Sequence, residues 1–167
     1  MPNHISNRVT LKGSKEEVTR VFAEIGDDQS PIDFNRIIPE PEGLYKGDLS
    51  LAKREETAGF NWYDWRTTNW GTKWPAYSQI RLSPKATYFE TAWSAPFPVF
   101  DRLAEKYPHV EFKMEYADED RGSNSGILTY KDGKLVEHLE LRGKEASRML
   151  SKLRRAKRKC KYDTKSS

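Results

Sequence analysis

Asp64, Arg66, Asn69 and Lys73 stand within ten positions of one another, threaded between Trp62, Trp65, Trp70 and Trp74 in the stretch NWYDWRTTNWGTKWPAYS at residues 61–78. A carboxylate, two cations and an amide beside indole walls could hold an anionic substrate or a base by hydrogen bonding and stacking. Arg66, Asn69, Lys73, Trp70 and Trp74 are therefore the residues of a candidate pocket, with Asp64 as its acid. The same letters also carry a structural reading. Asn61 and Asp64 have the spacing of a capping box, Phe60 and Trp65 that of a hydrophobic staple, and Gly71 sits where a left-handed residue closes a helix. On that reading a helix starts at Asn61 and its rings close a core.

The second group with chemistry is basic. Of the 29 Lys and Arg and 25 Asp and Glu in the chain, residues 142–167 hold eleven and two, a balance of +9; the rest hold eighteen and twenty-three, a balance of −5. Ala146, Met149, Leu150, Leu153, Ala156 and Cys160 recur near 3.6 residues, which predicts a helix whose apolar stripe docks on the domain or on a partner. Arg148, Lys152, Arg154, Arg155, Lys157, Arg158, Lys159 and Lys161 are then left for solvent or for phosphates. Six such contacts to a nucleic-acid backbone would weaken binding by about 10³ between 50 and 200 mM salt. The alternative is a solubilising tail.

Other chemistries find little support. The single cysteine, Cys160, can form neither an intramolecular disulfide nor a cysteine zinc site. His4, His109 and His138 lack metal-ligand spacing, and no nucleophile elbow or glycine-rich phosphate loop occurs. No metal or cofactor is expected. Asp118-Glu119-Asp120 reads as a solvated turn without the pattern of a calcium loop. No run of the RNA-recognition type is present, and the outer face of the strand at Val110–Tyr116 is expected to expose Glu111, Lys113 and Glu115.

The elements that must position these groups follow from periodicity. Asn7–Leu11 reads as a strand, and a helix follows with Ser14 as N-cap, Glu17 at N3, a stripe of Val18, Val21, Phe22 and Ile25, and Gly26 as its end. Ile32–Ile38 reads as a strand stopped by Pro39, and 42–59 as a loop with at most a turn of helix. After the Trp-rich helix come strands at Tyr77–Leu82 and Ala86–Trp93, then a helix opened by Pro96 and Pro98 with Phe100, Leu103, Ala104 and Tyr107 on its stripe. Val110–Tyr116 alternates with period two, and Ile127–Tyr130 and Lys134–Leu141 form a hairpin around Asp132-Gly133. With only 36% hydrophobic residues, the twenty aromatics must fill much of the core. The order predicts an α+β, ferredoxin-like sandwich, a mainly antiparallel sheet with helices on one side, plus a basic C-terminal helix. The domain is expected over 1–141, with 142–167 as helix and tail.

The start MPNHISNRVTLKG, the segment IDFNRIIPEP and the tryptophan motif, in that order, resemble the YubB-like proteins of conjugative plasmids and phages. The likeness covers about residues 1–141 and ends before the basic helix. It implies a ferredoxin-like fold and a mobile-element origin, and it carries no catalytic residues. The resulting expectation is a non-enzymatic binding protein that contacts a host protein or nucleic acid, DNA or RNA through the basic tail, as a counter-defence or DNA-transfer accessory. The alternative is a small enzyme acting on an anionic substrate around Asp64, Arg66, Asn69 and Lys73. With no signal-peptide pattern and no apolar window of about 18 residues, a cytoplasmic place in a bacterial host is expected, away from membranes.

Overall fold

A computed structural model describes residues 2–165; Met1, Ser166 and Ser167 lie outside the described residues. The first strand is β1 (His4–Lys12), followed by α1 (Lys15–Ile25), α2 (Phe34–Ile37), α3 (Leu51–Glu56) and α4 (Trp62–Asn69). Then come β2 (Tyr77–Ser83), β3 (Ala86–Ala92), α5 (Phe97–Lys106), β4 (Glu111–Asp118), β5 (Ser125–Lys131), β6 (Lys134–Leu141) and α6 (Gly143–Lys165). The strands form one sheet in the order β2-β3-β1-β4-β5-β6, and every neighbouring pair is antiparallel. The first four strands of that order, with α1 and α5 as connections, make a ferredoxin-like unit, and the β5–β6 hairpin extends it beyond β4.

Strand alternation sorts the interior into two layers. Ile5, Val9 and Leu11 of β1 and Phe112, Met114 and Tyr116 of β4 meet Val18, Val21, Phe22 and Ile25 of α1 and Phe100, Leu103 and Ala104 of α5 on one face. On the other face Tyr88 and Ala117 meet Ala146, Met149, Leu150 and Leu153 of α6. Helices therefore cover both faces of the sheet, where the sequence led us to expect one. The reason lies in the α6 stripe, whose large apolar side chains each gain about 2 kcal/mol from burial and find the open face of the sheet.

Local signals account for most boundaries. The Ser14 hydroxyl accepts from the Glu17 amide, and α1 stops at Gly26. Gly26 is there for space: its backbone is extended, and a Cβ would lie 2.3 Å from the carbonyl oxygens of Ser30 and Pro31. At the β5–β6 turn Asp132 and Gly133 have φ of 54° and 78°, as a two-residue type I′ hairpin requires. Ile32–Ile38 is not a strand. Asp33 accepts from the Asn35 amide and caps the short α2, which buries Phe34 and Ile37 at i, i+3 spacing. An apolar run this short cannot distinguish strand from helix by period alone, and the cap decides it.

The acidic loop is also not a solvated turn. Asp118 is buried; its carboxylate accepts from Asn3 and Asn124 side chains at 3.2 and 2.9 Å, while Glu119 accepts from the His4 amide at 2.8 Å. These bonds fasten the start of β1 to the end of β4. No helix among the described residues is long and apolar enough to cross a membrane.

Candidate functional site

The tryptophan stretch folds as a capped helix. Asn61 Oδ1 accepts from the Asp64 amide at 2.9 Å, and the Asp64 carboxylate accepts in return from Asn61 Nδ2 at 2.8 Å and the Gly59 amide at 3.1 Å. The Gly59 amide bond first, then the Asn61 bond, hold the Asp64 carboxyl below its usual range. Gly71 closes α4 with φ of 76°. Phe60 is 48% exposed rather than packed as a staple.

The five candidate pocket residues fall into two cation–ring pairs, Arg66 with Trp70 and Lys73 with Trp74, and Asn69 apart from both. Arg66 makes two 3.2 Å bonds to the Glu40 carboxylate and lies over the rings of Trp62 and Trp70. Asn69 donates to the Trp65 carbonyl, a local bond within the helix. Trp70 is fully buried among Phe34 and Trp65 and donates its indole N–H to the Ile38 carbonyl. Lys73 sits between the rings of Trp74 and Trp93, 4.8 and 5.0 Å from their centroids. The stretch thus divides into one core indole, a side-chain ion pair and a half-buried aromatic rim. Asp64 is spent on capping.

The basic helix makes a different arrangement. Met149, Leu150 and Leu153 are buried against the sheet, and two lysines reach down to carboxylates beneath them. Lys152 Nζ lies 2.8 Å from Glu115 Oε2, and Arg8 Nη2 lies 2.7 Å from Glu115 Oε1. Glu115 is 1% exposed, so the strand does not present it to solvent as its alternation suggested: α6 covers it. Burial pushes the Glu115 carboxyl up, and the bonds from Lys152 and Arg8 outweigh it and hold the group below its ordinary value. Lys157 Nζ lies 2.8 Å from Glu90 Oε1 and over the Tyr88 ring. Burial again opposes the Lys157 and Tyr88 hydrogen bonds at Glu90, and the bonds win. Arg154 is half-buried on the same flank, and its charge acts on Tyr88.

What is left faces outward in register. Lys144, Arg148, Ser151, Arg155 and Arg158 follow i, i+4, i+7, i+11, i+14 and so share one stripe of the helix. The four cations of that row are exposed and have no partner among the described residues. Arg121 adds a fifth charge beside it, donating from Nη1 to Ser147 Oγ at 2.8 Å and Ser151 Oγ at 3.0 Å. Ser147, Arg148, Ser151, Lys152 and Arg155 line an open groove of about 490 Å³. Lys159 and Lys161 are exposed toward the end of the helix. Of the eight basic residues singled out from sequence, Arg148, Arg155 and Arg158 stand in the outward row, whereas Lys152 and Lys157 are committed to the sheet. Lys144 and Arg121 add to the basic surface from outside that set: Lys144 lies four residues before Arg148, and Arg121 stands 26 and 30 residues from the serines it bonds.

Residues 69–155 match the family model described as the ferredoxin-like domain in Api92-like protein. The chain belongs to this Api92-like family. The matched segment runs from the end of α4 through β2–β6 and into the first part of α6, as far as Arg155. Among solved structures, the chain is similar to the crystal structure of a protein api92 from Yersinia pseudotuberculosis, with 18% identity and a TM-score of 0.46. The likeness covers 66% of this chain and 40% of that one, so the chain spans less than half the length of that Api92 protein. No curated protein matches the chain.

Proposed function

We propose that this Api92-like domain is a non-enzymatic binding module that contacts the backbone of nucleic acid through the outward row of α6. The observation that carries the reading is the division of labour on that helix. Apolar residues and the Lys152 and Lys157 ion pairs fix it to the sheet, so Lys144, Arg148, Arg155 and Arg158 are presented from a rigid element with no ion-pair partner among the described residues. From Lys144 to Arg158 the row spans about 21 Å at 1.5 Å per residue, enough to meet phosphates on both sides of a major groove about 12 Å wide. Phosphate contacts of this kind position a protein without reading sequence. Binding is therefore expected to be salt-dependent and weakly sequence-selective. The likeness to YubB-like plasmid and phage proteins supports placing the protein in a mobile element and in the bacterial cytoplasm, as a DNA-transfer or counter-defence accessory.

The test is charge reversal of the row. The variant Arg148→Glu, Arg155→Glu, Arg158→Glu is expected to keep its circular dichroism and melting temperature, because these side chains are exposed and have no partner among the described residues, and to lose duplex DNA binding at least 100-fold. Retained binding would contradict the reading. Capture of a host protein by both forms alike, with no nucleic acid bound by either, would replace it with a protein-partner role.

A further inference from the structure

Sheet register places Ala86, Thr10 and Lys113 in one row across β3, β1 and β4, next to the row of Tyr88, Arg8 and Glu115. α6 covers the second row with its latches but does not close over the first. With Ala156 and Lys159 as its helical wall and Leu82 beside β3, the first row floors an open cleft of about 740 Å³. That is the size range of small-molecule sites, roughly 300–1,000 Å³.

The charges in this cleft are unbalanced. Glu115 is the acidic residue of its lining, and its two oxygens are already taken by Arg8 and Lys152. Lys113 and Lys159 have no partner among the described residues. Two unpaired ammonium groups lining one cleft, beside the Arg8–Glu115 pair, attract an anion carrying several oxygens. Leu82 and Ala156 offer an apolar wall alongside, for a part of the ligand that is not charged.

We infer that this cleft binds a phosphate-bearing ligand of mononucleotide size, with phosphate held by Lys113 and Lys159 and the base or sugar against Leu82 and Ala156. The site is separate from the outward row of α6 and does not depend on the function proposed for that row. A free nucleotide and the 5′-phosphate end of a nucleic-acid strand present the same chemistry, and the probes must separate them.

Cys160 lines the cleft and is the only cysteine in the sequence, which makes it a built-in reporter. The experiment measures binding of a fluorescent nucleoside triphosphate, and of a short oligonucleotide with and without a 5′-phosphate. It uses the full chain, Lys113→Glu with Lys159→Glu, and the triple Glu variant of the outward row. Both lysines are exposed and unpaired, so the double variant keeps its fold, checked by its melting curve. Loss of at least tenfold in nucleotide affinity in the double variant but not the triple one, with iodoacetamide alkylation of Cys160 slowed several-fold by nucleotide in the native chain, supports a free-nucleotide site. Loss confined to the 5′-phosphorylated oligonucleotide assigns the cleft to a strand end. No saturable binding of any probe, or affinities unchanged by Lys113→Glu with Lys159→Glu, overturns the inference, whatever the triple variant does.

Discussion

Arg8 and Glu115 face each other across β1 and β4, with 2.7 Å between Nη2 and Oε1, and Lys152 of α6 reaches the other carboxylate oxygen. A carboxylate that is 1% exposed is tolerable in a sheet interior only with its charge matched. The pairing therefore stabilises the ionised sheet and tells α6 where to lie.

Removing Arg8 leaves the buried Glu115 carboxylate with Lys152 as its one ion-pair partner and one oxygen without its cation. Arg8→Met is expected to destabilise the domain by about 1–3 kcal/mol, and Arg8→Met with Glu115→Leu to regain most of that loss. Urea unfolding of the single and double variants measures both. Equal stability of the native chain and Arg8→Met would show that the pair contributes nothing.

Acid should loosen α6 before it melts the opposite layer. Glu115 and Glu90 are both held below their ordinary value of 4.5 in the folded protein, so each contributes stability above that value and loses it as pH falls through the lower folded pKa. Stability is expected to be flat from pH 7 to about 5 and to fall below about 4.5. Glu115→Gln should flatten the slope there. An unchanged slope would mean that other carboxylates carry the acid response.

Trp70 and Trp74 separate core from rim. Trp70→Ala empties a fully buried site between Phe34 and Trp65 and is expected to lower stability by about 3–5 kcal/mol. Trp74→Ala, at a half-buried ring over Lys73, is expected to lower it by no more than about 1 kcal/mol. Similar losses at both positions in thermal unfolding would refute this division.

Gly71 serves both backbone and packing. Its φ is 76°, and a Cβ there would lie 2.7 Å from Pro98 Cδ, so Gly71→Ala combines a left-handed penalty with a clash against α5. A loss of about 2–4 kcal/mol is expected from the two together. A neutral effect would show that the α4–α5 junction yields freely.

These relationships show which features a sequence displays. α1, α5 and β4 were legible because each carries its whole signal locally, as in the Val18, Val21, Phe22, Ile25 stripe. α2 was misread because seven mostly apolar residues fit either period and the Asp33 cap was not weighed. α6 was legible as a helix, but its seat was not. The groups that fix it, Glu115 and Glu90, stand 37 and 67 residues from their lysines, and no local spacing records such pairs. For the same reason the eight basic residues looked equivalent until the sheet claimed two of them. The tryptophans likewise looked alike in sequence, and only tertiary packing sends Trp70 inward while Trp62, Trp65 and Trp74 stay half-buried.

The most direct test of the central claim is the affinity of the native chain for duplex DNA as a function of salt. Four phosphate contacts from Lys144, Arg148, Arg155 and Arg158 predict a slope of log affinity against log salt near −3.6, or a loss of about 10² between 50 and 200 mM. The slope should fall by about one for each of these residues changed to Ala. A slope near zero, or one unchanged by those substitutions, would contradict the assignment of the outward row of α6 as a nucleic-acid interface.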